Sequence, residues 1–246
     1  MVECYKVSQD SRGFTLVEIS IVLLIVSLLV GGVILGRDLI HQANIRNVIT
    51  QISKYNSATN VFRGKYASLP GDTSKAIAYG LADPACPAGV GPTPPVVPGC
   101  NGNGDELLTA DTENTENISY WYHLSRVGMI DGQFNGLTVV FGQGAPPTKL
   151  RQKTGFYIGT SSLFTGRNIF VVGYDDTSGG TYHLMPLEAW AIDNRMDDGL
   201  PSSGTVKVPN NGSDNFAPSC YSTPPNSEYD VDNETETCAL YIRAAF

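Results

Sequence analysis

From Phe14 to Leu35 the chain runs for 22 residues with a single charge, Glu18. As a helix rising about 1.5 Å per residue, that stretch is long enough to cross a hydrocarbon core of roughly 30 Å. Its one carboxylate stands near the start of the run. An ionised side chain at membrane depth costs about 2.5–3.5 kcal/mol on insertion scales, so Glu18 demands a partner or a proton. A plain single-pass anchor has no use for it.

The residues ahead of the run sharpen this reading. A secretory signal has a basic end, an apolar region of about 7–15 residues and a small-residue cleavage site behind that region. No such site follows here; Gly31-Gly32 and then Val33-Ile34-Leu35-Gly36-Arg37 read as continuing helix. The polar leader 1–13, which carries Lys6 and Arg12, ends instead at Gly13, before the apolar residues begin. Gly13-Phe14-Thr15-Leu16-Val17-Glu18 resembles the class III signal of type IV pilins, pseudopilins and related prepilins, whose pattern is Gly, Phe, then Thr-Leu-x-Glu. The resemblance implies that a prepilin peptidase cuts between Gly13 and Phe14 and methylates the new Phe14 amine, while the apolar helix stays on the mature protein. It also implies assembly. The Phe14 amine of one subunit neutralises Glu18 of another inside a low-dielectric core, where an unpaired charge is strongly penalised, so correct docking is favoured over near-misses.

Beyond the apolar run about 200 residues remain, enough for one domain with its own core. The net charge is −8, from 16 basic and 24 acidic residues, and no basic stripe appears, so nucleic acid is not an expected partner. Charged residues make up only 16% of the chain, which suits a loop-rich extracytoplasmic domain.

The apolar spacing changes past Leu35. Ile45, Val48, Ile49, Ile52, Tyr55, Thr59 and Phe62 recur at intervals of three and four, one stripe of an amphipathic helix. One helix from Phe14 to about Arg63 is therefore expected, and Leu69-Pro70-Gly71-Asp72 supplies a turn after it. Residues 116–129 return to helical spacing, and 186–196 read as a helix opening on Pro186. Strands are predicted over 137–141, 155–159, 168–174, 181–185 and 205–208, with Thr177-Ser178-Gly179-Gly180 turning a hairpin between the third and fourth. Trp121 and Trp190 fall at apolar helical positions and read as core anchors.

Cys4 leaves with the leader, so the mature chain keeps Cys86, Cys100, Cys220 and Cys238. Four cysteines allow three pairings, and spacing alone does not fix which. Nearest-neighbour closure is the expectation. Cys86–Cys100 would staple a Pro/Gly-rich loop that cannot build a core, and Cys220–Cys238 would close a loop near the carboxyl end, as in many pilins that this chain resembles. Zinc is excluded by the wide spacing within each pair.

Two oxygen-rich clusters are candidate metal sites. Asn101, Asn103 and Asp105 alternate like the start of a calcium loop, but the first position is neutral and Glu106 stands where the turn glycine belongs, so a Gly/Asn turn is the better reading. Asp193, Asp197 and Asp198 converge at a helix end, where three carboxylates repel unless a cation or a basic group lies among them. Resemblance to the major pseudopilins implies calcium there; an Asp-Gly turn with a solvated face is the competing reading. No G-x-S-x-G, H-E-x-x-H or phosphate-binding pattern occurs, so no enzyme activity is expected.

The expected fold is α+β and pilin-like: a long amino-terminal helix packed on a small antiparallel sheet, with short helices and disulfide-stapled loops. Its parts are a leader at 1–13, a transmembrane half-helix at 14–35, an amphipathic half at 36–64 and a globular head at 65–246. The resemblance implies a subunit of a type IV pilus or type II secretion-like filament, held single-pass in a bacterial inner membrane with its head in the periplasm. Its implied partners are the prepilin peptidase, other pilin or pseudopilin subunits and the inner-membrane assembly platform. The alternative is a membrane-tethered periplasmic binding module or enzyme that uses the prepilin route without entering a filament.

Overall fold

The computed structural model describes residues 13–82, 100–109, 116–138, 140–151, 153–173, 182–209, 219–222 and 227–246. Its elements in chain order are α1 (Leu16–Tyr66), α2 (Glu116–Arg126), β1 (Phe156–Thr160), β2 (Asn168–Val172), α3 (Pro186–Met196), β3 (Val206–Lys207) and β4 (Leu240–Arg243), with a 3₁₀ turn at Ser162–Phe164. The chain divides into two compact units, Met1–Ala43 and Asn44–Phe246.

In the first unit every residue from 14 to 35 is exposed, and the helix there has the length and composition to cross a membrane. Lipid or neighbouring helices are the natural cover for such a surface. The second unit takes in the rest of α1, whose apolar stripe is buried: Ile45, Val48, Ile52, Tyr55, Ala58, Thr59 and Phe62. Tyr55 is the hub. Its ring meets Trp121 edge-on at 4.9 Å and Phe156 at 5.2 Å, so α1, α2 and the sheet share one aromatic contact.

The sheet is antiparallel throughout, in the order β1-β2-β4-β3. Side chains alternate across a strand, so β2 serves two faces: Phe170 and Val172 enter the main core, while Ile169 and Val171 pack with Phe164. β4, which lies between β2 and β3, is absent from the sequence reading. The end of the chain then folds back on α1: the Ala245 amide donates to Asn56 Oδ1 (2.8 Å), and the Phe246 ring lies 6.2 Å from Tyr120.

α3 has the bounds its sequence predicts, with Pro186 at the first turn. α2 stops at Arg126, just before Gly128 at φ 70°. β1, β2 and β3 fall within one or two residues of the predicted strands. The described residues within 137–141 do not form a strand. The amides of Gln143, Gly144 and Ala145 all turn back to Val140 O, and among the described residues only a single bridge, Phe141–Ala145, remains. Gly142 at φ 85° permits that turn, and Gly144 packs so tightly on Thr138 O that a Cβ would overlap it. The predicted strand at 181–185 is not a continuous strand among the described residues, which include a bridge between Leu184 and Cys238 and a bond from the His183 amide to Gly173 O (2.9 Å). Its hairpin turn lies outside the described residues.

Cys220 and Cys238 form a disulfide with Cα atoms 5.2 Å apart. Cys100 is disulfide-bonded as well, while Cys86 lies outside the described residues, as does the leader up to Arg12.

Candidate functional site

Thr15 immediately precedes α1, and Glu18 occupies the third helical position. Both the Thr15 amide and its hydroxyl donate to Glu18 Oε2 at 2.8 Å, and the Glu18 amide donates to Thr15 Oγ1 at 3.2 Å. This reciprocal arrangement is a capping box: each side chain satisfies an amide that the helix leaves open. The carboxylate also stands at the positive end of the helix dipole, which favours its charge. Phe14 is exposed beside this cap, with Gly13 before it in open space.

At the other candidate site, Asp193, Asp197 and Asp198 each offer an oxygen, and the three oxygens lie within 4.8 Å of one another. α3 carries Asp193, and its carboxyl end places the other two. Asp193 is fully buried, and its Oδ2 accepts from the Tyr229 hydroxyl at 2.8 Å. Its Oδ1 is buried with no hydrogen-bond partner of ordinary geometry. Burial pushes the Asp193 carboxyl up to about 6, against the opposing bond from Tyr229 and with the charges of Asp198 and Asp197 adding to the rise. Asp197 accepts from the Thr205 and Val206 amides, and Asp198 from Ser203 Oγ (2.5 Å) and the Leu200 amide (2.9 Å). These bonds hold the connection from α3 to β3 and hold Asp198 below the usual carboxylate range. The donor set is all oxygen, which suits a hard divalent cation.

A third acidic group was not legible in the sequence. Asp105 meets Asp72 and Glu116, two buried carboxylates distant from it in the chain. Asp72 accepts from the Gly104 (2.6 Å) and Glu106 (2.9 Å) amides, and Glu116 from the Asn103 (2.9 Å) and Thr109 (3.1 Å) amides. Asp105 is occupied with the Leu107 amide and Asn103 Nδ2. Every oxygen has a protein partner, so this group fastens the 100–109 loop onto α2. Gly102 makes the fit possible, because a Cβ there would lie 2.4 Å from Asp72 Cα. The Gly/Asn turn read from the sequence is therefore built on buried acids.

His123 and Trp121 carry structure. His123 is fully buried, and its Nδ1 accepts from the Gly71 amide at 2.8 Å, where Gly71 adopts φ 88°. His183 Nδ1 lies 3.0 Å from Glu236 Oε2. Trp121 is a core anchor, but Trp190 is 39% exposed on the outer side of α3, contrary to the sequence reading.

The model of the prokaryotic N-terminal methylation motif matches residues 8–34. A search of curated proteins found no match. Among solved structures, the major type IV pilin PilA1 from Clostridium difficile is similar at 10% identity and a TM-score of 0.33, covering 83% of this chain and 96% of that one. The chain thus carries a prokaryotic N-terminal methylation motif at the start of a long amino-terminal helix, and the buried stripe of that helix shares its core with a small antiparallel sheet.

Proposed function

We propose that this chain is a structural, non-catalytic subunit of a type IV pilus or a secretion-type filament. In this reading residues 1–13 are a leader removed between Gly13 and Phe14 by a prepilin peptidase, which also methylates Phe14. Residues 14–35 hold the subunit in the inner membrane, 36–64 continue as the amphipathic half of the helix, and 65–246 form a periplasmic head. Assembly on an inner-membrane platform then exchanges lipid for neighbouring helices. The observation that carries the reading is the methylation motif over residues 8–34, leading directly into an exposed apolar helix. The capping box adds a mechanism. In the single subunit Glu18 is satisfied by Thr15; in the filament the Phe14 amine of a neighbour offers it a full opposite charge. Comparing filament fractions from cells with and without the peptidase tests the reading: the chain should disappear from the fraction when the peptidase is missing.

We infer also that Asp193, Asp197 and Asp198 hold a calcium ion, with the buried Asp193 Oδ1, which has no hydrogen bond of ordinary geometry, as the feature favouring it. Binding to the folded state alone stabilises it by about 2.7 kcal/mol at a hundredfold excess over Kd. Thermal unfolding of the full chain in detergent should shift upward by several degrees with calcium, reverse with a chelator, and lose the shift in Asp193→Asn. Equal melting temperatures with calcium and with chelator would contradict the assignment.

A further inference from the structure

A groove of about 500 Å³ lies where α1, α3 and the end of β4 meet, all within the second unit. Ile52, Met196 and Ile242 give it an apolar lining, and Arg167 and Arg243 stand exposed at it. Among the described residues neither guanidinium forms an ion pair, in a chain whose net charge is −8. Two unpaired arginines at one partly apolar groove are an anion-accepting surface, because a guanidinium offers a planar fork that matches a carboxylate.

The same unit presents the opposite charge. The turn 230–234 reads Asp230-Val231-Asp232-Asn233-Glu234. Asp230, Asp232 and Glu234 are exposed and unpaired among the described residues, and exposed Val231 lies between the two aspartates. The turn is braced. The Asn233 amide donates to Asp230 O (3.0 Å), Asn233 Nδ2 to Ser219 O (2.8 Å), and the Asp230 amide to Cys220 O (3.1 Å), beside the Cys220–Cys238 disulfide. A braced projection with one apolar side chain between carboxylates loses little freedom on docking.

We propose that the acidic turn of one copy docks into the arginine groove of a second copy. The contact joins two different patches, so the pair keeps one patch of each kind free. A heterologous contact of this type propagates instead of closing on a pair. It adds a contact between heads to the pairing of helices, and complementary charge sets its register and its choice of partner. The inference rests on the filament reading above.

The test uses the full chain in cells that assemble it. A photo-crosslinking p-benzoylphenylalanine replaces Val231 in an epitope-tagged copy, produced beside an untagged one. Irradiation should yield a dimer of the two, with the cross-link mapped to peptides that carry Arg167 or residues 242–246. Arg167→Glu with Arg243→Glu in the untagged copy should lower that dimer about tenfold, and Asp230→Lys with Asp232→Lys in the tagged copy should restore it. An intact Cys220–Cys238 disulfide on a non-reducing gel confirms that the variants fold. No dimer, a cross-link elsewhere, capture of a different protein, or indifference to charge reversal would each overturn the proposal. If the chain is processed and enters filaments while these results fail, the groove contact alone is wrong. If the leader is never cut, the filament reading falls and the contact falls with it.

Discussion

Glu18→Ala is expected to leave a processed, membrane-resident, disulfide-bonded protein that enters filaments at least about tenfold less than wild type. The physical reason is asymmetric. Removing one partner of a buried ion pair costs about 3–5 kcal/mol, because the other charge stays buried without compensation. In this chain the stranded charge would be the Phe14 amine of the adjoining subunit. Insertion of the single subunit should be no worse, since a carboxylate at membrane depth is itself a cost. Glu18 also accepts two hydrogen bonds from Thr15, so an alanine removes a helix cap as well as a charge. Glu18→Gln separates the two roles. Glutamine keeps the capping-box geometry, yet it cannot neutralise an amine. The account predicts that Gln fails in assembly much as Ala does, while protease resistance of the head is unchanged in both. Incorporation of the Gln variant at the wild-type level would show that the cap, and not the charge, is what matters. A role that survives both changes while surface changes in the head abolish it would favour the tethered binding-module reading.

The second large effect is on the head. Replacing Cys220 and Cys238 together by Ala is expected to cost about 2–4 kcal/mol of stability. The bridge closes a loop of sequence separation 18 and places Cys238 two residues ahead of the start of β4. Cys238 exchanges backbone hydrogen bonds with Leu184 (3.1 and 3.0 Å), and β4 then enters the sheet between β2 and β3. Without the bridge the unfolded chain gains freedom, and the lead into an interior strand loses its anchor. Urea unfolding followed by fluorescence of the buried Trp121 would report the change as a lower midpoint. A midpoint within error of wild type would contradict the assigned weight of this bridge.

What the sequence reveals depends on whether the signal is local. The apolar run, the amphipathic stripe from Ile45 to Phe62 and the Pro186 helix are each written in consecutive spacing, so periodicity finds them. β4 is four residues long and offers only Leu240, Tyr241 and Ile242 as a pattern. Its place is set by partners far back in the chain, Ile169 to Val172, which no local pattern shows. Residues 137–141 misled for the opposite reason. Leu137, Val139, Val140 and Phe141 have strand propensity, but Gly142 and Gly144 let the backbone turn back on itself, and tertiary context won. At the sites, the methylation motif and the carboxylates of Asp193, Asp197 and Asp198 are close in sequence and were legible. Asp72 and Glu116 were not, because their roles come from amides of the 100–109 loop that reach them only once the chain is folded. The arginine groove was hidden likewise, since Arg167 and Arg243 come together only through the pairing of β2 with β4.

The central claim is that this protein is a processed filament subunit, and the mass of its mature amino terminus tests that claim most directly. Intact mass spectrometry of the chain from peptidase-positive cells should give a polypeptide that begins at Phe14 and carries one added methyl group. From peptidase-negative cells it should give the uncut chain, with residues 1–13 still attached. A chain that keeps Met1 in both strains, or one cut beyond Leu35 so that the apolar helix is lost, would contradict the account.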